Sequence, residues 1–170
     1  NANGFVVSVF DPSRDACVAA SAAGASCLEN AKAVFALGVP TITCVASPAA
    51  FTDTVAAALS AHESGTQLGP VIETSTLKPT LKREAKNHLA AAGAVLLDCP
   101  LSGTSAQAHR GELLVFASGD TASLDACEGI FAAIARKTIR VGEFGMGMRL
   151  KLLANHLVGL HSAAAAEGLT

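Results

Sequence analysis

The 170-residue sequence has no tryptophan and no tyrosine, and its only aromatic residues are seven phenylalanines. Bulky aromatic packing is therefore scarce. Much of the apolar content is alanine, which favours helices and close approach of neighbouring elements. Charge is sparse too, at 15% against 51% hydrophobic residues, a balance that excludes a disordered chain. With 12 basic and 14 acidic residues the net charge is −2, so the electrostatic footprint of a nucleic-acid binder is missing. No uninterrupted apolar run reaches the ~18 residues of a membrane span. The first ten residues lack the basic start and apolar core of a signal peptide. The sequence opens on Asn1 rather than Met, which points to a processed or partial chain.

Five cysteines (Cys17, Cys27, Cys44, Cys99 and Cys127) are odd in number and scattered without a CxxC. That spacing argues against a zinc site or a disulfide framework. Reduced, mostly buried thiols in a cytosol-like compartment are the expectation. His156 and His161 are five apart and diverge around a helix with no carboxylate beside them, so no metal site is expected. His62, His88 and His109 fall in polar or helical surface segments and are expected to be solvated.

What is present is an alternation of short β-rich runs with longer helical patterns, on a length that suits one domain with a small extension. Strands are expected at residues 5–10, 41–45, 71–74, 94–98, 113–117 and 138–141. Helices are expected at 14–23, 29–37, 48–62, 78–92 and 122–136, with the polar, Gly-containing segment 102–111 as a connection. Pro79 in the first turn and Gly93 at the stop mark the 78–92 helix well. Such alternation implies right-handed βαβ units on a mostly parallel sheet, an α/β class. From Met146 the pattern becomes one long helix, with Leu153, Leu157, Leu160 and Ala164 on one face and Lys151, Asn155 and Ser162 on the other. A helix apolar nearly all round is expected to be buried, against a second domain or a partner subunit that lies outside this sequence.

Several residues carry chemistry at these positions. Asp11 ends the first strand, where an acidic residue of a dinucleotide fold accepts hydrogen bonds from the ribose hydroxyls; before Pro12 it is equally a turn former. A GxGxxG about 20 residues ahead of it is absent, because only ten residues precede Asp11. Gly145-Met-Gly147 follows a strand and opens a helix, but Leu150 takes the third glycine position, so it reads as a flexible approach to the helix. Lys151, in an otherwise apolar stretch, suits a general base with a lowered pKa, or snorkels to solvent. Asn155 stands one turn above it. The turn from Asp98 to Ser105 closes a strand, where open α/β sheets bind ligands and backbone N–H groups hold carboxylates; a plain strand-to-helix loop is the alternative.

Taken in order, these segments resemble the 3-hydroxyisobutyrate / β-hydroxyacid dehydrogenase family. Glu73-Thr-Ser-Thr-Leu-Lys-Pro79 is similar to the family's D-x-S-T-x-x-P. Asp98-Cys-Pro-Leu-Ser-Gly-Thr, running on to Ala117-Ser-Gly119, is similar to its D-A-P-V-S-G-G segment. Gly145-Met-Gly-Met-Arg-Leu-Lys-Leu-Leu-Ala-Asn155 is similar to G-x-G-x-x-x-K-x-x-x-N, and Ala165-Ala-Glu-Gly168 to the A-x-A-E-A continuation.

The resemblance implies a Rossmann-type domain over residues 1–143 and the first helix of an all-α domain over 144–170. It implies Lys151 as general acid/base and Asn155 as a substrate holder. Ser102 and Gly103 would bind the substrate carboxylate, with Thr104 in place of the family's second glycine. Ser75 and Thr76 would lie by the nicotinamide, and Asp11 by the adenosine ribose. The cofactor implied is NAD or NADP; Asp11 favours NAD, and Arg14 keeps NADP open. The partners implied are a small hydroxyacid and, in the complete protein, further copies of the chain, with no nucleic acid, membrane or metal, in the cytoplasm. The rival expectation is a non-catalytic α/β module that only binds.

Overall fold

The computed structural model describes residues 4–169; the domain bounds expected at residues 1 and 170 lie outside them. The described residues form two compact units. One runs up to Ile72 and includes Glu84–Leu96, and the other holds Glu73–Arg83 and the chain from Leu97 onward.

In the first unit, β1 (Ser8–Val9) is shorter than the expected strand, and Phe5, Val6, Val7 and Phe10 around it stay exposed. Helix α1 (Arg14–Ala22) starts at Ser13, whose hydroxyl accepts from the Ala16 N–H. It leads into β2 (Ser26–Cys27), parallel to β1 with Ser8 opposite Ser26 and Val9 opposite Cys27. A two-residue strand with no alternation is invisible in the sequence. Helix α2 (Ala31–Phe35) is capped by Asn30, and β3 (Thr41–Thr43) follows. Helix α3 (Pro48–Glu63) has Ser47 as its cap and Pro48 at its first position, where the missing N–H is not needed. Phe51, Val55 and Ala58 bury one stripe of α3 at helical spacing. The chain continues through β4 (Val71–Glu73), α4 (Pro79–Ala91) and β5 (Leu96–Asp98), and β3, β4 and β5 form a sheet in that order.

The second unit is built on the sheet β6-β7-β8. Strand β6 (Leu101–Ser102) runs antiparallel to β7 (Leu113–Ala117), and β7 runs parallel to β8 (Ala135–Arg140). The segment 102–111, expected as a plain connection, contains the end of β6 and helix α5 (Ser105–His109). The helix expected over 122–136 is two: α6 (Thr121–Ala126) and α7 (Glu128–Ile134), joined at buried Cys127. No proline marks that joint. Arg140 of β8 spans it, pairing with Asp125 on α6 and Glu128 on α7. The last helix, α8 (Met146–Glu167), buries only Gly147 and Met148. Leu153, Leu157 and Leu160, expected to be covered, stand exposed in this chain.

The expectation of unpaired thiols fails at one pair. Cys17 of α1 and Cys27 of β2 form a disulfide, with their Cα atoms 5.8 Å apart. The turn from α1 back to β2 brings them together across ten positions, a separation that no CxxC spacing announces. Cys44 is free and exposed; Cys99 and Cys127 are free and buried. Burial pushes the Cys99 thiol up to about 12 and raises that of Cys127 as well, so neither supplies thiolate at neutral pH. An aromatic disulfide reagent is expected to titrate one thiol quickly in the folded protein and three after unfolding without reductant. Five titrated thiols would contradict the Cys17–Cys27 pair.

Candidate active site

The second unit is organised around a carboxylate out of contact with solvent. Asp98 ends β5 and is wholly buried, as are Glu73 at the end of β4 and Ser118 just past β7. The backbones of Asp98 and Ser118 exchange two hydrogen bonds of 2.9 Å. The Lys82 ammonium reaches in from α4 and donates to Asp98 Oδ1 at 2.8 Å; it lies 3.8 Å from Glu73 Oε1. The same Glu73 oxygen accepts the Ser75 N–H at 2.6 Å. Breaking a buried pair of this kind by removing one partner typically costs about 3–5 kcal/mol, because the other charge is left uncompensated.

The other Asp98 oxygen holds the start of α8. An α-helix begins with four N–H groups that have no partner within it. Gly145, at φ +95°, turns the chain into α8 and offers no side chain to cap it. The cap comes from elsewhere: Gly147 donates to Ser118 Oγ at 3.0 Å and Met148 donates to Asp98 Oδ2 at 2.7 Å. The Ser118 hydroxyl in turn donates to the Asp98 carbonyl at 3.0 Å. The positive end of the helix thereby compensates part of the Asp98 charge. A Cβ on Gly147 would meet the Phe116 carbonyl oxygen and stand 2.6 Å from that of Asp98, so only glycine lets the helix approach this closely. The glycines of 145–147 thus serve a helix start, and the N–H groups of Gly147 and Met148 are not available to a phosphate.

One turn beyond this anchor stands Lys151, half-buried, with Asn155 a further turn along and exposed. Desolvation lowers the Lys151 pKa below the ordinary lysine value. No carboxylate among the described residues pairs with it to oppose that effect. An amine in this state gives up its proton more readily than a surface lysine.

The turn after β5 carries the expected carboxylate binders. Ser102 is half-buried at the end of β6, and Gly103 follows at φ +147°. That left-handed backbone is what calls for glycine; a Cβ there would also lie 2.7 Å from Leu113 Cδ2, a side-chain end that can shift. Thr104 is the N-cap of α5: its hydroxyl accepts from the Gln107 N–H at 3.3 Å, and the Gln107 side chain accepts the Thr104 N–H at 2.8 Å. A substrate carboxylate reaching for that N–H has to displace Gln107. Threonine at this position therefore has a helix-capping role that a glycine would not fill.

Ser75, Thr76, Ser102, Gly103, Thr104, Lys151 and Asn155 all belong to this second unit, whereas Asp11 belongs to the first. Asp11 is exposed, with Oδ1 accepting the Ser13 N–H at 2.8 Å in the turn that starts α1. Ser75 is buried beside exposed Thr76.

Over residues 1–142 the sequence matches the family described as the NAD binding domain of 6-phosphogluconate dehydrogenase. The chain belongs to this family. Within it, the chain is 37% identical over 100 residues to the L-threonate dehydrogenase of Cupriavidus necator, an alignment covering 58% of this chain and 34% of that protein. It is 29% identical over 169 residues to the cytokine-like nuclear factor N-PAC of Danio rerio, covering 98% of this chain and 36% of that one. The solved structure of Mycobacterium tuberculosis 3-hydroxyisobutyrate dehydrogenase with L-serine matches with a TM-score of 0.87 at 27% identity, over 98% of this chain and 56% of that one. The chain thus spans about a third of the length of the curated relatives it matches. These likenesses bear out the β-hydroxyacid dehydrogenase resemblance and the α/β Rossmann-type fold.

Sequence reasoning assigned no role to Lys82, Asp98 or Ser118. A signal for Lys82 exists: it shares the face of α4 that buries Ala85 and Leu89, at spacings of three and four. A charged residue in an apolar stripe asks for a buried partner, and Asp98 at the end of an apolar strand is one. Gly147→Ala is expected to lower stability by about 2 kcal/mol or more, read as a lower urea midpoint at unchanged slope. An unchanged midpoint would contradict the close approach of α8 to Asp98 and Phe116.

Proposed function

We propose that the chain is part of an NAD(P)-dependent oxidoreductase that interconverts a small β-hydroxyacid and its semialdehyde or keto acid. The observation that carries this reading is Lys151: a half-buried amine without a counter-charge, one turn from a helix start fixed by buried side chains, in a family of NAD-binding domains. When bound, the nicotinamide ring supplies the hydride acceptor. Lys151 Nζ takes the proton of the substrate hydroxyl in oxidation and returns it in reduction. Ser102 and Gly103 hold the substrate carboxylate, Thr104 borders it, and Asn155 orients the substrate oxygen above the lysine.

On the cofactor side, Asp11 receives the adenosine ribose, and Ser75 and Thr76 border the nicotinamide. NAD is favoured over NADP because a 2′-phosphate would face the Asp11 carboxylate; Arg14 is the residue that would soften that preference. The complete protein acts as a homo-oligomer in the cytoplasm. No helix among the described residues is long and apolar enough to cross a membrane. A second reading, a non-catalytic binding module, is favoured by the match to a protein named as a nuclear factor.

Lys151→Ala in the complete protein separates the two. Turnover of a β-hydroxyacid with NAD or NADP is expected to fall by at least two orders of magnitude, or about 2.7 kcal/mol in activation free energy, while coenzyme affinity is retained. Near-normal turnover in that variant would overturn the assignment of Lys151. Absence of any turnover in the parent, across small hydroxyacids and both coenzymes, would favour the binding module.

A further inference from the structure

Lys82 is buried, sits outside every segment that the family resemblance rests on except as a neighbour of Pro79, and has no part in the proton transfer. Its ammonium stands between two carboxylates that serve different sides of the site. Glu73 Oε1, 3.8 Å away, holds the Ser75 N–H at 2.6 Å. Asp98 Oδ1, 2.8 Å away, belongs to the carboxylate whose other oxygen holds the Met148 N–H at 2.7 Å. All five residues lie in the second unit.

We propose that Lys82 is a positioning residue shared by both sides of the reaction site: through Glu73 it fixes the Ser75–Thr76 turn that faces the nicotinamide, and through Asp98 it fixes the start of α8 and hence Lys151. The assignment of those two sides rests on the dehydrogenase reading; the linkage itself rests on the geometry. In a buried setting a single cation between two carboxylates cannot move toward one without weakening its hold on the other. The coenzyme turn and the acid/base helix thereby rest on the same ammonium. Ser118 touches only the helix side, since its hydroxyl accepts the Gly147 N–H and donates to Asp98. It is the internal control.

The test uses the complete protein and two readouts: hydrogen exchange at the Ser75, Gly147 and Met148 amides, and steady-state kinetics with binding of reduced coenzyme. Lys82→Met is expected to speed exchange at least tenfold at both Ser75 and Met148, to lower kcat at least tenfold, and to weaken coenzyme binding at least fivefold. Lys82→Arg is expected to recover part of both losses. Ser118→Ala is expected to speed exchange at Gly147 and Met148 and to lower kcat, with Ser75 exchange and coenzyme affinity unchanged within twofold. A folded Lys82→Met protein that loses only one side overturns the shared role.

Should Lys82→Met fail to fold, Glu73→Gln decides the matter. The amide oxygen still accepts the Ser75 N–H, but Lys82 is released toward Asp98 and draws its charge from the Met148 N–H. Met148 exchange is then expected to quicken at least threefold although Glu73 makes no contact with α8; unchanged Met148 exchange would overturn the proposal. If the parent protein turns over no hydroxyacid while both amides respond as stated, the linkage stands and the dehydrogenase reading falls.

Discussion

The second unit depends on the Asp98 carboxylate being buried and fully engaged. A carboxylate removed from water is tolerated only when charge and hydrogen bonds replace its hydration. Here Lys82 replaces the charge on one oxygen, and the Ser118 hydroxyl, the Met148 N–H and the positive end of α8 attend the other. The requirement runs in both directions. Asp98 needs the helix start, and the helix start, which has no capping side chain of its own at Gly145, needs Asp98 and Ser118. The end of β5, the end of β7, α4 and α8 are thereby joined at one point, and the position of Lys151 along α8 follows from it.

This explains features that a motif reading leaves as bare letters. Glycine stands at 147 because the backbones of Asp98 and Phe116 occupy the space that any side chain would need. Serine stands at 118 because one hydroxyl serves as acceptor for Gly147 and donor to Asp98. Threonine at 104, which departs from the family's glycine pair, closes a reciprocal cap with Gln107 on a short helix. The turn after β6 is therefore more firmly held on that side than a second glycine would make it.

The larger elements were legible in the sequence because they obey local rules. Ser47 and Pro48 announce α3, Pro79 and Gly93 bracket α4, and the run Leu113–Ala117 is an apolar strand. The parts that escaped are those fixed by tertiary contacts. Two-residue strands such as β2 and β6 have no periodicity to read. The joint at Cys127 carries no breaker and is held by buried packing and by Arg140 across it. The Cys17–Cys27 pair arises from a return of the chain, not from a spacing motif. Of the candidate site, Lys151, Asn155, Ser102 and Gly103 could be named from the order of the motifs. The charges behind the start of α8, Lys82 and Asp98, were not named, although Lys82 shares the apolar stripe of α4 with Ala85 and Leu89.

The most direct test of the account is the titration of Lys151 itself, followed by nitrogen-15 or carbon-13 NMR of labelled lysine in the complete protein. Partial burial disfavours the ammonium form and no neighbouring carboxylate restores it, so the midpoint should lie below the ordinary lysine value. The amine is then neutral, and able to accept the hydroxyl proton, from a lower pH than a surface lysine, and hydroxyacid oxidation should rise with pH through the same midpoint. Ser118→Ala, by loosening the start of α8, should move the midpoint back toward the ordinary value. A Lys151 that titrates at or above that value in the parent protein would contradict both its place in the fold and its role as the base.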